Sequence, residues 1–267
     1  MGADIKKLRT RIKSVNSTLH LTKAMGLVAS SKIRRANDAM MKGKEYEEAV
    51  KDAVKALSAS REVERSPYMQ KRESEKMHIV CFAGDRGLAG GYNANIFRLM
   101  KEYPEAEVTP IGKCACDKFG EGFRSIEHFS YLDAKKLSDH LCEKFREGEI
   151  DKLGIVSTKY ISMMSQEAKI DWVLPLERIE TEQKGDIVFE PDELTVLNAL
   201  IPEYVAGMFM SAAKESFASE VAARRVAMDS AGKNAQEMLD ELGLAYNRAR
   251  QGAITQEITE IVAGSGL

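Results

Sequence analysis

A glycine-rich turn contains the residues of this chain that are best suited to ligand chemistry. Gly84, Gly87 and Gly90 follow a short apolar run and precede a predicted helix. Turns of this kind bind dinucleotide phosphates when their glycines have the spacing G-x-G-x-x-G and a later acid binds the ribose. Here the spacing is G-x-x-G-x-x-G, the next predicted strand ends at residues 110–113 without an acid, and no Gly-Lys-Ser/Thr follows. The pattern therefore favours a structural turn, with a nucleotide-dependent enzyme as the alternative.

Histidine and cysteine, which often carry catalysis or bind metals, are scattered along the chain. No His-Glu-x-x-His occurs, and no histidine has a triad-like local context. Cys114 and Cys116 lack the second ligand pair of a zinc site, and four cysteines in 267 residues form no disulfide framework. We therefore expect reduced, buried thiols, no metal, no cofactor and no catalytic site on this chain. The other residues concerned are His20, His78, His128, His140, Cys81 and Cys142.

The last predicted helix, residues 245–262, carries polar groups suited to a different use. Ile254 and Ile258 fall on one face and contribute to an amphipathic pattern. The planar guanidinium of Arg250 and the amide of Gln251 suit bidentate contacts to carboxylates and main chain of another protein. The alternative is an ordinary solvated face. The polar groups in question are Arg248, Arg250, Gln251, Thr255, Gln256 and Glu257.

The elements that must position these groups begin with a long N-terminal helix. Apolar or small residues recur through residues 1–40 at alternating intervals of three and four, which is the period of a left-handed coiled coil. At Thr22, Gly26 and Ala29 the small side chains allow a partner helix to approach closely. We expect this helix to continue to about Glu64, where a Ser-Pro pair stops it.

Residues 76–190 have the pattern of an α/β domain. Short apolar runs alternate with helical segments, and this alternation predicts a largely parallel sheet. The predicted strands are residues 78–83, 107–111, 125–130, 153–157, 170–174 and 187–189. The predicted helices are residues 92–102, 114–122 and 133–147.

A second helical region is predicted to begin after Pro191, and residues 202–267 are predicted to form a long helix without an internal proline. Alanines recur at every fourth position from Ala223 to Ala235 and form a ridge against which a bulkier helix can pack closely. With residues 1–65 as the first helix, the chain has two long terminal helices of opposite direction and an α/β domain between them. We therefore expect the terminal helices to pair as a left-handed, antiparallel coiled-coil shaft.

Charge is distributed unevenly although the formal net charge is only −2. Residues 1–35 carry nine Lys or Arg and one acid, whereas the residues from Glu203 onward carry nine acids and six bases. This asymmetry is consistent with pairing of the terminal helices, and a basic coiled-coil nucleic-acid binder is the alternative. Because residues 1–45 contain no Phe, Tyr or Trp to stack on bases, we expect no nucleic-acid partner.

Several segments of the chain resemble the gamma subunit of F-type ATP synthases. Three of them are similar to the N-terminal helix of that family, one to its internal glycine-rich segment and two to its C-terminal helix. The resemblance covers both ends and the centre of the chain in the family's order. The matching segments are residues 1–15, 21–25, 28–36, 84–93, 219–229 and 246–262.

The resemblance implies a central rotor shaft. In this family the paired terminal helices lie inside a ring of three alpha and three beta subunits, and the Rossmann-like domain packs beside the epsilon subunit and the membrane c-ring. One copy of the shaft couples c-ring rotation, driven by protons or sodium ions, to ATP synthesis or hydrolysis at the beta-subunit sites. The implied location is peripheral, on the cytoplasmic side of a bacterial cell membrane. Since no run of eighteen apolar residues occurs, we expect no membrane-spanning segment.

The resemblance also implies nine contact positions, all on the terminal helices. Lys23 and Met25 match the place where the first helix meets an acidic lever loop of a beta subunit. Arg250 and Gln251 match residues that contact a beta-subunit catch loop. A third group matches positions linked to coupling and to the first helix, and it consists of Glu220, Arg224, Thr255, Gln256 and Glu257.

Four glycines depart from what a stiff shaft requires. Gly26 stands where the family commonly has a larger or charged residue, and Gly232, Gly243 and Gly252 lie inside the last predicted helix. Each glycine costs a helix about 1 kcal/mol relative to alanine. We therefore expect lower local stiffness at these positions unless packing against a partner restores it.

Overall fold

Two long helices begin and end the described chain. They are α1 (Gly2–Ser58) and α5 (Glu193–Gly264). The computed structural model describes residues 2–72, 76–177, 189–264 and 266. Contacts divide the chain into two compact units, and each long helix contributes to both. The helical unit comprises the residues up to Ser30 and from Arg224 onward, and the sheet unit comprises Ser31–Ala223.

In the helical unit, α1 and α5 pack against each other along the predicted seam of small residues. Thr22 and Ala29 are buried. A Cβ atom placed on Gly26 would lie 3.7 Å from Met228 Cβ, and one placed on Gly232 would lie 3.5 Å from Thr22 Oγ1. Higher-numbered positions of α1 meet lower-numbered positions of α5, so the helices run antiparallel. The prediction that small residues allow close approach is confirmed.

The same two helices also pair within the sheet unit. A Cβ atom on Gly43 would lie 3.6 Å from Ser211 Cα, and one on Gly207 would lie 2.8 Å from the ring of Tyr46. Any residue larger than glycine at position 207 would displace the ring of Tyr46. The order of these contacts is again antiparallel, which confirms the predicted pairing of the terminal helices.

The described part of the sheet unit contains a sheet of four strands, most of which pair in parallel. The strands are β1 (Met77–Phe82), β2 (Glu107–Ile111), β3 (Lys152–Tyr160) and β4 (Gln166–Leu174), and the helices between them are α2 (Tyr92–Met100), α3 (Lys113–Phe119) and α4 (Tyr131–Glu147). The strand order is β2-β1-β3-β4. β1 pairs in parallel with β2 and β3, and β4 pairs antiparallel with β3 at the edge. The predicted α/β domain is confirmed.

Side chains along β1 alternate between two apolar layers, as the pleat of a strand requires. Phe82 belongs to a cluster with Phe145 of α4 and Phe209 of α5. Cys81 belongs to a second cluster with Ile96 of α2. Burying one large apolar side chain stabilises the fold by about 1.5–3 kcal/mol. Helices therefore cover both faces of the sheet, and α5 is part of the core.

The predicted strand at residues 125–130 is wrong. Asp85, which lies in the turn after β1, accepts hydrogen bonds from Ile126 N at 2.8 Å and from Ser125 Oγ at 2.7 Å. The backbone donor that a strand would offer to its neighbour is therefore bound to a side chain. Ile126 is nevertheless buried, which explains why its apolar surroundings suggested a strand.

The first helix is shorter than predicted. α1 ends at Ser58 and not near Glu64. Ser66 then caps a short turn, since its side chain accepts a hydrogen bond from Tyr68 N at 3.3 Å. A 3₁₀ helix at Glu62–Arg65 takes the place of the predicted end of α1, and a second one follows at Pro67–Met69.

The helical region predicted after Pro191 and the long helix predicted from residue 202 form one continuous helix. α5 begins at Glu193 and contains Pro202, so the expectation of a long helix that only starts near this proline is wrong. Proline lacks the backbone donor of a helix interior and is unfavourable there. Ile201 and Val205 on either side are fully buried, so packing against the sheet unit holds the helix through the proline. The predicted strand at residues 187–189 lies largely outside the described residues.

One stretch of α5 is long and apolar enough to cross a membrane by length and composition alone. In the fold, 61% of that stretch is buried. Core helices of soluble domains pass the same test. Because α5 contributes Val205, Phe209 and Ala213 to the core of the sheet unit, we assign its apolarity to that core.

Two glycines with positive φ provide a matched test of the sheet unit. Gly112 has φ of 99° and Gly120 has φ of 109°. A Cβ atom on Gly112 would lie 1.9 Å from Ala83 O, whereas one on Gly120 would have nothing within 4 Å. We expect Gly120→Ala to lower the free energy of unfolding by about 1–3 kcal/mol through backbone strain alone, and Gly112→Ala to abolish stable folding. Thermal unfolding followed by the fluorescence of Trp172 measures both, and equal midpoints would contradict the steric assignment.

The cysteines should differ in reactivity according to burial. Burial raises the pKa of Cys81 and of Cys142 to about 12, while Cys114 is only half-buried. Because the thiolate is the reactive species, we expect an alkylating reagent to modify Cys114 first and to leave Cys81 and Cys142 untouched in the folded chain. Timed labelling with peptide mass spectrometry, against a denatured control, measures the order. Early modification of Cys81 would show that β1 opens readily.

Candidate functional site

The end of α5 presents polar and apolar side chains together. Ile254 and Ile258 are 47% and 56% exposed, and Ile261 and Val262 are 69% and 59% exposed. An exposed aliphatic face on an amphipathic helix marks a surface for a protein partner. The predicted contact residues on the same segment are all exposed, and they are Arg250, Gln251, Thr255, Gln256 and Glu257.

Hydrogen bonds along the helix orient part of this surface. Thr255 Oγ1 donates to Gln251 O at 3.0 Å, and Gln256 Nε2 donates to Glu260 Oε1 at 2.8 Å. The Thr255 hydroxyl is therefore turned back onto its own helix. The guanidinium of Arg250 carries five hydrogen-bond donors, which makes it the strongest candidate for a charged contact to another protein.

A second surface lies on α1 in the helical unit. Lys23 is exposed and Met25 is half-buried. The side chains of Leu21, Leu27 and Val28 are 58%, 72% and 54% exposed. Lys23 is thus a cation among aliphatic side chains that the helix pair leaves uncovered. This combination suits a partner segment that is acidic and also carries apolar residues.

The structure does not group Glu220 with the exposed residues at the end of α5. Glu220 belongs to the sheet unit and is only 2% exposed. Arg224 begins the α5 part of the helical unit and is half-buried. Thr255, Gln256 and Glu257 are exposed in the helical unit. The predicted coupling group therefore divides into buried Glu220 within the sheet unit, half-buried Arg224 and three exposed positions in the helical unit.

The Glu220 carboxylate occupies the glycine-rich turn. Its Oε1 accepts a hydrogen bond from Arg86 N at 3.4 Å, and a Cβ atom on Gly84 would lie 2.8 Å from the same oxygen. In open α/β sheets the crevice beyond the carboxyl ends of the strands is where a nucleotide phosphate binds. Here an anionic side chain of the protein itself lies against that turn, which disfavours the nucleotide site that the glycines could have suggested.

Asp85 organises the rest of the turn, and the sequence pattern did not reveal it. Besides its bonds to Ser125 and Ile126, its Oδ1 accepts from Lys113 N at 3.4 Å. Asn93 Oδ1 accepts from Gly84 N at 2.9 Å and ties the turn to α2. An Asp beside a glycine directly after a strand is a known turn former, and that signal could have identified it.

A cavity of about 1240 Å³ lies beside β4 and the end of α1. Trp172 lines it together with cations that already have acidic partners. Arg72 Nη1 lies 3.7 Å from Asp151 Oδ1, and Lys71 Nζ lies 3.2 Å from Glu177 Oε1. Positive charge that is paired within the protein does not favour a nucleotide phosphate at this cavity.

The titratable residues of the described chain form no metal-binding arrangement. Within residues 2–72, 76–177, 189–264 and 266, no three His, Cys, Asp or Glu side chains are placed to hold a metal ion. His78 is buried, its Nε2 lies 2.8 Å from Thr109 Oγ1, and burial lowers the pKa of its ring. It is therefore a hydrogen-bonded core histidine.

Comparison with known proteins gives one consistent family. The ATP synthase family profile matches residues 4–266. The chain is 41% identical over 281 residues to the ATP synthase gamma chain of Ruminococcus albus, with 98% of both chains covered. It is 37% identical over 277 residues to the ATP synthase gamma chain of Moorella thermoacetica, again with 98% of both chains covered.

Solved structures of low sequence identity share the fold. One is a chain of the Euglena gracilis mitochondrial ATP synthase, in its OSCP/F1/c-ring part, with a TM-score of 0.67 and 19% identity over 100% of this chain and 97% of that chain. Another is a chain of the Tetrahymena thermophila mitochondrial ATP synthase, in its central stalk and c-ring part. Its TM-score is 0.63, with 21% identity over 79% of this chain and 99% of that chain.

The contact between Gly84 and Glu220 can be tested with a neighbouring glycine as control. A Cβ atom on Gly84 would lie 2.8 Å from the Glu220 carboxylate, whereas one on Gly87 would have nothing within 4 Å. We expect Gly84→Ala to lower the free energy of unfolding by about 1–3 kcal/mol, as overpacking does, and Gly87→Ala to change it by less than about 0.5 kcal/mol. Urea unfolding followed by Trp172 fluorescence measures both. A Gly84→Ala variant as stable as Gly87→Ala would place Glu220 elsewhere.

Proposed function

The chain belongs to the ATP synthase gamma chain family, and we propose on that basis that it is the central rotor shaft of a bacterial F-type ATP synthase. It couples rotation of a membrane c-ring, driven by protons or sodium ions, to ATP synthesis or hydrolysis on the beta subunits, and carries no catalytic site itself. One observation carries the proposal, which is identity of 41% to a gamma chain across 98% of both chains. The antiparallel pairing of α1 and α5 is the geometry that such a shaft needs.

A rotor of this kind acts through its asymmetry. Because α1 and α5 differ in sequence, the paired helices present a different surface to each of the three beta subunits around them. Contacts that favour one conformation of a beta subunit shift its conformational equilibrium by the difference in their binding free energy. Rotation therefore changes the nucleotide affinity of each beta subunit in turn, and the energy reaches the sites as torque.

The exposed residues of the helical unit are the proposed contacts with the ring. Arg250 and Gln251 bind a catch loop of a beta subunit, where a guanidinium and an amide match carboxylate and main-chain acceptors. Lys23 and Met25 meet the acidic lever loop of a beta subunit. Support comes from the exposure of Arg250, Gln251 and Lys23 and from the exposed aliphatic side chains around them. Because these charged side chains are exposed to solvent, their attraction to acidic groups of the ring would be stronger at low salt concentration.

The coupling group has two proposed roles. Glu220 links α5 to the domain that receives torque from the c-ring, which is supported by its burial against the glycine-rich turn. Arg224 takes part in coupling from the helical unit. Thr255, Gln256 and Glu257 act on the exposed surface, where they help to set the orientation of the last helix within the ring.

The α/β domain is the proposed binding partner of the epsilon subunit and the c-ring. One copy of the chain serves a ring of three alpha and three beta subunits. Its proposed location is peripheral, on the cytoplasmic side of the cell membrane. Support comes from full-length similarity to bacterial gamma chains and from a fold shared with chains of complexes that contain F1 and c-ring components.

Reconstitution tests the proposal directly. Purified alpha and beta subunits are assayed for ATP hydrolysis with and without this chain, and the mass of the complex is measured in parallel. We expect a single copy to join a three-plus-three ring and to raise turnover. Failure to associate with subunits shown to be competent would overturn the proposal. A nucleotide titration of the chain alone tests the alternative that this chain is a nucleotide-dependent enzyme. Saturable nucleotide binding would favour that alternative.

The catch contact gives a sharper test with a control on the same helix. Replacing Arg250 and Gln251 together by alanine removes two charge-assisted or polar contacts, each worth about 1–3 kcal/mol when made to a partner. We expect ATP turnover of the assembled complex to fall about tenfold or more, since about 1.4 kcal/mol corresponds to a factor of ten. Because both side chains are exposed, the unfolding temperature of the chain should change little.

The matched control is Lys233→Ala with Asn234→Ala. These residues are also a cation followed by an amide, and both are exposed on α5. The control complex should keep most of its turnover. Normal turnover by a correctly assembled Arg250→Ala/Gln251→Ala complex would remove the catch assignment.

A further inference from the structure

Strand β3 extends beyond its neighbour β1 in the sheet. Pairing of the two strands ends at Cys81 opposite Val156, whereas β3 continues to Tyr160. The backbone N–H and C=O groups of alternate residues in a strand point to the same edge. Those of Thr158 and Tyr160 therefore point to the edge of β3 along which β1 pairs at earlier positions. Thr158 is buried and Tyr160 is half-buried. Buried backbone groups require partners, and among the described residues no strand supplies them on this side of β3.

Side chains of α5 supply these partners. Thr158 N donates to Ser216 Oγ at 3.1 Å, and Ser219 Oγ donates to Thr158 O at 3.3 Å. Tyr160 N donates to Glu215 Oε1 at 3.1 Å. Ser216 and Ser219 are fully buried, and Glu215 is 5% exposed. A short segment of helix thus continues the hydrogen-bonding ladder of the sheet.

Lys44 brings α1 into the same contact. Its Nζ lies 2.8 Å from Glu215 Oε1, the oxygen that also accepts from Tyr160 N. One buried carboxylate oxygen therefore joins α1, α5 and β3. A second polar contact between the helices lies nearby, where Ser211 Oγ donates to the Glu47 carboxylate. A buried charge is tolerated only when it is paired and hydrogen-bonded, so each member of this group depends on the others.

We propose that this group, the β3 joint, transmits torque between the α/β domain and the paired helices. The β3 joint is defined as the side chains of Lys44, Glu215, Ser216 and Ser219 with the backbone of residues 158–160. Apolar contact between layers is non-directional and resists separation more than sliding. Hydrogen bonds depend on angle as well as distance, so the joint opposes sliding and rotation of α5 against the sheet. Glu215 is a positioning residue and acts at a distance from any nucleotide.

The β3 joint rests on the proposed rotor function, and its test uses the assembled complex in sealed vesicles. ATP hydrolysis and ATP-driven ion pumping are measured on the same sample. Glu215→Ala removes the acceptor of Tyr160 N and the partner of Lys44. We expect the ions pumped per ATP hydrolysed to fall about threefold or more, at the low end of what substitutions in a coupling network produce, while hydrolysis continues.

Two milder variants separate the ion pair from the hydrogen bond. Glu215→Gln retains an oxygen for Tyr160 N but loses the charge, and Lys44→Met loses the charge on α1. Each should lower the pumping ratio less than Glu215→Ala. Because both act on one ion pair, the double variant should lose no more than the larger single loss. These variants keep the test available if Glu215→Ala does not fold.

Two controls distinguish a joint from general stability. Ile96→Val shortens a fully buried side chain of α2, and the fall in its unfolding temperature is compared with the fall in Glu215→Ala. Arg124→Met removes the ion pair with Asp117, whose atoms lie 3.0 Å apart within the sheet unit. Both control complexes should pump as many ions per ATP as the wild type.

The outcomes separate this inference from the proposed function. A normal pumping ratio in Glu215→Ala complexes would overturn the β3 joint, and so would an equal fall in Ile96→Val. If the pumping ratio of the Lys44→Met/Glu215→Gln variant falls by the sum of the two single losses, Lys44 and Glu215 do not act as one ion pair. If the wild-type chain neither assembles with the ring nor supports pumping, the proposed function itself fails, whatever the variants do.

Discussion

The close antiparallel packing of α1 against α5 is the constraint on which the rest of the structure depends. It is made twice, by Gly26 against Met228 in the helical unit and by Gly207 against the Tyr46 ring in the sheet unit. Small residues allow the helices to approach, so that apolar contact replaces water along the seam. Because the first and the last helix both take part in this pairing, the α/β domain is formed by the chain between them. This is the arrangement that a gamma chain of ATP synthase needs, because a rotor must carry torque along its length.

α5 has three chemical regions, each matched to its surroundings. Its first part is apolar and belongs to the core, with Phe209 fully buried. A buried polar region follows, in which Ser216 binds the end of β3 and Glu220 lies against Gly84. The last part exposes Arg250 among aliphatic side chains. The polar region also accounts for a glycine-rich turn in a non-catalytic chain, because a carboxylate of the protein lies where a Rossmann-like domain would hold a phosphate.

The candidate contact surface was predictable in its residue types but only partly in its arrangement. Amphipathic spacing and the resemblance to the gamma family identified Arg250, Gln251 and Lys23, and all three are exposed. Exposure is a local property of a helix face, so periodicity predicts it well. Glu220 belonged to the same predicted group, yet it is buried against a turn far away in sequence. Spacing along one helix cannot reveal such a contact. The roles of these residues toward other subunits remain predictions.

The sequence by itself determined the two long helices, their small-residue seam, most strands and the absence of a catalytic motif, because each depends on periodicity or residue type over a short stretch. Only the tertiary structure decided what depends on distant neighbours. Residues 125–130 are not a strand because Asp85 takes their donors, and α5 continues through Pro202 because Ile201 beside it is fully buried. The ladder of β3 is completed by helix side chains, since β1 ends first. In each case the free energy of a long-range contact outweighs the local preference of the chain.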